Sequence, residues 1–156
     1  MCGIVAVTGY KKALPLLING LEKLEYRGYD SAGIAVINPE TNSITCNKAE
    51  GKLHNLINSL NDENIPGTVG IGHTRWATHG KPEFKNAHPH IDSSGTIAVV
   101  QNGIIENFQS LKNKLEKEGI IFNSDTDTEV IPHLIARELN TLSRLKLENN
   151  GSTLLV

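Results

Sequence analysis

Short runs rich in β-branched residues alternate with amphipathic helical runs along most of the chain. Residues 3–8 read Gly-Ile-Val-Ala-Val-Thr and predict a strand, whereas leucine and isoleucine recur at helical spacing over residues 11–24. Several of the strand-like runs are almost continuously apolar, a pattern that indicates strands buried on both faces. The predicted strands are residues 3–8, 32–37, 43–47, 69–73 and 96–100, and the predicted helices are residues 11–24, 52–60, 106–118 and about 131–142.

The connections between these runs carry their own signals. Residues 38–42, Asn-Pro-Glu-Thr-Asn, predict a turn that joins strands 32–37 and 43–47 as a hairpin. Residues 126–129, Thr-Asp-Thr-Glu, predict a capping box for the last helix, and Pro132 is expected to bend the first turns of that helix. Residues 75–94 show little periodicity but many polar groups, and a long irregular segment in a compact domain is usually functional or mobile.

Composition excludes several classes of protein. A chain of 156 residues fits one domain, and a net charge of −2 with scattered basic residues gives no basis for binding nucleic acid. No apolar run approaches the ~20 residues that span a bilayer, and the N-terminus lacks the pattern of a signal peptide. We therefore expect a cytoplasmic protein that does not bind a membrane. Two cysteines do not make a disulfide scaffold, and Cys46 falls in a predicted strand as a small core residue.

Cys2 is the strongest candidate for a reactive group. If Met1 is removed, which a small second residue permits, Cys2 carries both a thiol and the free α-amine. An α-amine titrates near pH ~8 and can accept a proton from the thiol at neutral pH. Any residue can follow a start codon, so the position of Cys2 alone does not distinguish a functional cysteine from a non-functional one.

Other residues supply what such a nucleophile needs. Asn102 and Gly103 follow a predicted strand, where a side-chain amide and a backbone N–H could form an oxyanion hole, although Asn-Gly is also a common turn. Arg75 could bind a carboxylate in a two-pronged pair beside the single tryptophan, Trp76, which could close over a ligand. Asp127 could pair with a substrate ammonium or simply cap a helix.

Four histidines, at positions 73, 79, 88 and 90, raise the question of a metal site. The spacing of His88 and His90 directs the two rings apart in an extended segment, and no acidic or cysteine partner stands at a recognised ligand spacing. We expect no metal and no cofactor.

Six blocks together resemble the glutaminase domain of the glutamine:fructose-6-phosphate amidotransferase family, a class II glutamine amidotransferase group. A related purine-pathway amidotransferase family shares the N-terminal cysteine and the Asn-Gly pair but differs in the arginine blocks. The resemblance covers nearly the whole chain in order. The six blocks are Met-Cys-Gly-Ile at the start and residues 25–33, 73–80, 86–90, 102–107 and 126–130.

The resemblance implies an α+β fold of the N-terminal-nucleophile hydrolase type, in which two stacked antiparallel sheets lie between helical layers in an αββα order. It also implies roles for individual residues, which are as follows. Cys2 is the nucleophile with its own amine as base; Asn102 and Gly103 form the oxyanion hole; Arg75, Thr78 and His79 bind the glutamine carboxylate; Asp127 binds its ammonium; Trp76 belongs to a mobile glutamine loop; Arg27 and His88 support the site.

The implied reaction is hydrolysis of L-glutamine to glutamate and ammonia through a thioester on Cys2. In the complete family enzyme the ammonia passes to a sugar-phosphate isomerase part that converts fructose 6-phosphate to glucosamine 6-phosphate, and this part also forms the homodimer. Here the isomerase part is absent and the glutaminase domain is expected to continue past Val156, which would leave apolar strand edges unpaired. Gln101 stands where a histidine is expected.

Two other interpretations stay open from the sequence. A catalytically inactive fragment or interaction module would keep the motifs without turnover. A histidine-based metallohydrolase would keep its activity when Cys2 is replaced.

Overall fold

A four-stranded antiparallel sheet forms the centre of the fold in this computed structural model, which describes residues 1–60, 65–77 and 80–148, with residues 144–148 described by their backbone alone. The strands lie in the order β1-β4-β2-β3. The strands are β1 Gly3–Val7, β2 Ser31–Ile37, β3 Ile44–Glu50, β4 Gly70–Arg75, β5 His90–Ile91 and β6 Ala98–Val99, and the helices are α1 Ala13–Glu22, α2 Leu53–Ser59, α3 Phe108–Lys117 and α4 Val130–Glu148.

Strand β2 has a different environment on each face. Ile34 and Val36 are fully buried against α1 and α2, which contribute leucines to the same core. The alternate residues Gly33 and Ala35 face the opposite side, where a Cβ on Gly33 would lie 2.2 Å from the His88 carbonyl oxygen. The period of two along a strand therefore separates a helical layer from a second layer.

The second layer is a small antiparallel pair, in which β5 residue His90 is opposite Val99 of β6. Helix α4 packs on both of these strands and on α3. Lys48 on β3 links the layers, because its Nζ donates to the Ala87 carbonyl oxygen at 2.9 Å. An apolar cleft of about 260 Å³ lies between the two sheets, lined by residues that include Ile71 and Ile97. The order of layers is thus helices, sheet, small sheet and helices.

The predicted elements occur with shifted boundaries. Strands 32–37 and 43–47 do form a hairpin, which extends to Glu50. Strand 96–100 shrinks to two residues, because the Asp92 carboxylate accepts the backbone N–H groups of Thr96 and Ile97 at 2.9 and 2.7 Å. Those donors therefore do not enter a strand ladder.

The predicted capping box at residues 126–129 is wrong. Glu129 accepts backbone N–H groups from Asn123 and Ser124 at 2.8 and 2.7 Å instead, and the Thr126 hydroxyl lies 2.8 Å from His90 Nε2. Contacts with the preceding loop and with β5 outcompete the local cap. Pro132 is the third residue of α4, in the first turn, where a missing N–H removes no intrahelical bond. None of the described helices is long and apolar enough to cross a membrane.

Candidate active site

A cavity of about 280 Å³ opens where β1 and β4 meet the turn after β6 and the loop before α4. Seven of the sequence-predicted site residues are among those that line it. The lining residues are Cys2, His73, Arg75, Trp76, His88, Gln101, Asn102, Gly103, Ile104, Thr126, Asp127 and Thr128.

The pairing of β1 with β4 brings Cys2 to this cavity. Gly3 is opposite Thr74, so the residue before Gly3 lies level with Arg75 at the end of the neighbouring strand. On β4, His73 and Arg75 are two residues apart and share one face of the sheet. The register alone therefore places a thiol, an imidazole and a guanidinium at one sheet end.

The Cys2 sulfur is held by the segment that follows β4. The Trp76 backbone N–H donates to Cys2 Sγ at 3.2 Å, and Sγ lies 3.6 Å from the Trp76 carbonyl oxygen. The Met1 amine donates to the carbonyl oxygens of Arg27 and Gly28 at 3.2 and 2.8 Å. With Met1 in place, the free amine belongs to that residue and Cys2 carries a peptide nitrogen.

Asn102 bridges Cys2 and β4. Its Nδ2 donates to the Cys2 carbonyl oxygen at 3.3 Å, and its Oδ1 lies 2.8 Å from His73 Nε2. Gly103 follows directly and lines the same cavity. Cys2, Asn102 and Gly103 therefore line one cavity, and a side-chain amide and a backbone N–H are the kinds of donor that an oxyanion site requires.

Arg75 and Asp127 place opposite charges in the cavity wall. Both side chains are almost fully buried. The Arg75 guanidinium donates to the carbonyl oxygens of Gly80 and Lys81 at 3.4 Å each, and Asp127 Oδ2 accepts the Ile105 backbone N–H at 2.6 Å. A ligand with one carboxylate and one ammonium group matches this pair.

Three buried histidines pack against one another at the cavity, and two of them, His73 and His88, line it. The rings of His73 and His88 lie 4.3 Å apart at 22°, and those of His88 and His90 lie 4.6 Å apart at 67°. Burial lowers the pKa of His73 to about 4 and lowers that of His88 as well, with the neighbouring His73 acting in the same direction. Neutral rings therefore pack here, and no group of three or more potential ligands in the described part of the chain is arranged to hold a metal ion.

Of the predicted site residues that the structure describes, all except Arg27 line the cavity. The Arg27 side chain donates to the Tyr26 hydroxyl at 3.1 Å and does not line the cavity, and only its carbonyl oxygen contacts the N-terminus. The predicted ligand-binding residues Thr78 and His79 lie outside the described residues.

Sequence reasoning missed the contributions of His73 and Thr128. His73 belongs to the block of residues 73–80, but the sequence analysis gave it no role in the reaction. The signal that could have indicated one is its position two residues before Arg75 on the same strand, which places both side chains on one face. Thr128 donates through its hydroxyl to Gln101 Oε1 at 2.9 Å, so Gln101 is anchored in place of the expected histidine. This contact joins two distant loops and left no sequence signal.

The family profile described as "Glutamine amidotransferase domain" matches residues 59–145, more than half of the chain. The glutamine–fructose-6-phosphate aminotransferase (isomerizing) of Gloeobacter violaceus is 60% identical over 140 residues, which are 89% of this chain and 23% of that protein. The protein of that name from Clostridium tetani is 58% identical over 135 residues, 86% of this chain and 22% of its own length. The chain thus spans less than a quarter of these relatives.

Solved structures give the same result for the fold. Glutamine phosphoribosylpyrophosphate amidotransferase from B. subtilis superposes with a TM-score of 0.70 at 32% identity, covering 88% of this chain and 29% of that one. The allosteric regulatory enzyme of purine biosynthesis gives 0.73 at 31% identity, with 88% and 30% covered. The predicted N-terminal-nucleophile hydrolase fold, with antiparallel sheets between helices, is confirmed. This chain belongs to the glutamine amidotransferase domain family.

Proposed function

We propose that the chain hydrolyses L-glutamine to L-glutamate and ammonia with the Cys2 thiol as nucleophile. The observation that carries the proposal is the convergence of four groups on one cavity. These are the Cys2 thiol, the Asn102 amide with the Gly103 N–H, the Arg75 guanidinium and the Asp127 carboxylate. Their chemistry matches an amino acid that ends in an amide.

The substrate would be held at its α-carbon end. Arg75 would bind the α-carboxylate, with Thr78 and His79 as additional donors, and Asp127 would bind the α-ammonium. The carbonyl oxygens that accept hydrogen bonds from the Arg75 guanidinium fix its plane. Trp76, 54% exposed, lies with its ring against Gly28 and would cover the bound amino acid.

The chemical step begins when the α-amine of Cys2, free after Met1 is removed, takes the thiol proton. The sulfur attacks the side-chain carbonyl carbon, a C–S bond forms, and the oxyanion is stabilised by Asn102 Nδ2 and the Gly103 N–H. The C–N bond then breaks, and the amine returns its proton to the departing ammonia. Water attacks the γ-glutamyl thioester, which releases glutamate and restores the thiol. His88, which lines the cavity, and Arg27 would have only supporting roles.

The ammonia acceptor is proposed from the names of the relatives. Those relatives are glutamine–fructose-6-phosphate aminotransferases, so we propose fructose 6-phosphate as the acceptor in a protein that includes an isomerase part. Formation of glucosamine 6-phosphate, a homodimer through that part and a cytoplasmic location belong to the same proposal.

Glutamate release tests the proposal directly. The chain is prepared with Met1 removed, as checked by mass spectrometry, and compared with Cys2→Ala and with Cys46→Ala. Cys46 lies on β3, away from the cavity lining, so its variant is the matched control. We expect turnover that is lost in Cys2→Ala and kept in Cys46→Ala.

Two results would contradict the nucleophile assignment. The first is a folded parent chain that releases no more glutamate than Cys2→Ala. The second is an activity that survives Cys2→Ala and is abolished by a chelator, which would indicate a metal-dependent hydrolase instead.

A further inference from the structure

The Asn102 amide has two ends with opposite hydrogen-bonding properties. Nδ2 donates and Oδ1 only accepts, so an oxyanion is stabilised by one orientation of the amide and repelled by the other. In this structure Oδ1 faces His73 Nε2 at 2.8 Å, and Nδ2 is directed to the Cys2 side at 3.3 Å from the Cys2 carbonyl oxygen. The contact with His73 therefore corresponds to the productive orientation.

The surroundings of His73 decide which ring nitrogen carries the hydrogen. Its side chain is 1% exposed, and its Nδ1 is buried without a hydrogen-bond partner among the described residues. Because a carbonyl oxygen can only accept, the Nε2 atom that faces Asn102 must be the donor. A reversed amide would instead direct Oδ1 at the Cys2 carbonyl oxygen, so that two acceptors would face each other where Nδ2 now donates at 3.3 Å.

The ring is also held in place. It stacks on His88 at 4.3 Å, and the His88 Nδ1 accepts the Gln101 backbone N–H at 3.4 Å, next to Asn102 in the chain. The His73 ring and the Asn102 turn are thus fixed to one another from two sides.

We propose that His73 is a positioning residue, whose Nε2–H fixes the Asn102 amide with its donor end toward the oxyanion. This inference rests on the proposed function, because the oxyanion belongs to glutamine hydrolysis. Burial that lowers the pKa of His73 to about 4 keeps the ring in one neutral form over the working range of pH.

Three substitutions separate positioning from simple packing. Gln carries its amide nitrogen at the ε position and can replace the Nε2 donor, whereas Asn reaches only the δ position and Leu offers no donor. We expect His73→Leu and His73→Asn to lower kcat roughly 10- to 100-fold with little change in KM, since the interaction acts on the transition state. His73→Gln should recover most of the lost rate.

A double-mutant cycle with Asn102→Ala is the decisive measurement. If His73 acts through Asn102, His73→Leu should have almost no further effect once the amide is gone. The proposal would be overturned if the double variant lost kcat by the product of the two single losses. It would also be overturned if His73→Leu were as fast as the parent. Thermal unfolding of each variant confirms that the compared samples are folded.

A spectroscopic measurement does not depend on activity. Nitrogen-15 correlation spectra of the histidine rings should show His73 protonated on Nε2 and bare on Nδ1 from pH 5 to 8. The opposite tautomer would overturn the positioning role even in a chain without turnover. Absence of Cys2-dependent turnover, with the expected tautomer present, would instead count against the proposed function alone.

Discussion

Asp30 and Arg75 form an ion pair at the edge of the cavity, with 3.9 Å between Asp30 Oδ1 and Arg75 Nη1. The same residues are joined by the Asp30 backbone N–H, which donates to the Arg75 carbonyl oxygen at 2.8 Å. Asp30 Oδ2 also accepts the Ala77 backbone N–H at 2.5 Å. One carboxylate therefore orients the guanidinium and the start of the loop that follows it.

Arg75→Ala should raise the KM for glutamine about 10- to 100-fold, the scale of one charge-assisted hydrogen-bonded pair. In the proposed mechanism the α-carboxylate is bound equally in the ground state and the transition state, so kcat should change little. Steady-state kinetics measure both constants, and Arg137→Ala is the control because Arg137 is a partly exposed arginine on α4, away from the cavity lining. An equal loss of kcat at unchanged KM would contradict the carboxylate role.

Asp30→Asn should raise the KM about 2- to 5-fold, because a partly exposed ion pair contributes modestly. The increase in KM should vanish in an Arg75→Ala background, since we expect Asp30 to act on the substrate through Arg75. Glu118→Gln, which removes the surface partner of Arg137 at 3.3 Å, is the matched control. A change in KM that persists without Arg75 would assign Asp30 a separate role.

Asn102→Ala should lower kcat by ~100-fold or more, the usual effect of removing one oxyanion donor. KM should stay close to that of the parent, because the ground-state carbonyl needs little charge stabilisation. Asn113→Ala on the exposed side of α3 tests for unspecific effects. A variant as fast as the parent would remove Asn102 from the mechanism.

Much of this site could be predicted from the sequence because its groups stand at the ends of strands. Cys2 precedes β1, Arg75 ends β4 and Asn102 closely follows β6, and strand ends are readable from local patterns. The hairpin of β2 and β3 was predictable for the same reason, since a short turn joins its strands.

Contacts between distant segments were not predictable in this way. The capping box failed because Glu129 binds the preceding loop and Thr126 contacts His90, thirty-six residues earlier. The pairing of His73 with Asn102 likewise depends on how the two sheets stack. Local propensity contains no information on such pairings, which are decided by packing.

Gly33→Ala should destabilise the fold by about 1–3 kcal/mol, the usual cost of overpacking. The added Cβ would lie 2.2 Å from the His88 carbonyl oxygen, a backbone atom that cannot move aside without separating the two sheets. Gly72→Ala on β4 is the control, because its Cβ would meet side-chain atoms and no backbone, with Leu21 Cδ1 at 3.2 Å and Ile34 Cγ2 at 3.5 Å. Urea unfolding of both variants checks the prediction, and equal midpoints would contradict it.

The buried histidines should make stability depend on pH. Burial lowers the pKa of His73 to about 4 and that of His90 to about 3, and lowers that of His88 too, whereas an unfolded histidine titrates near ~6.5. The unfolded chain therefore binds more protons below pH ~6.5. The stability that these neutral rings contribute is fully present above pH ~6.5. It is lost as the pH falls through about 4 for His73 and about 3 for His90.

For each histidine that stays neutral, the free energy of unfolding should fall by about 1.4 kcal/mol per pH unit below pH 6. Urea unfolding at pH 8, 7, 6 and 5 measures it, and His88→Gln should reduce the slope by one such step whatever its effect on absolute stability. His54→Gln, on the exposed side of α2, should leave the slope unchanged. A free energy of unfolding that stays constant from pH 8 to 5 would show that these rings are not held neutral.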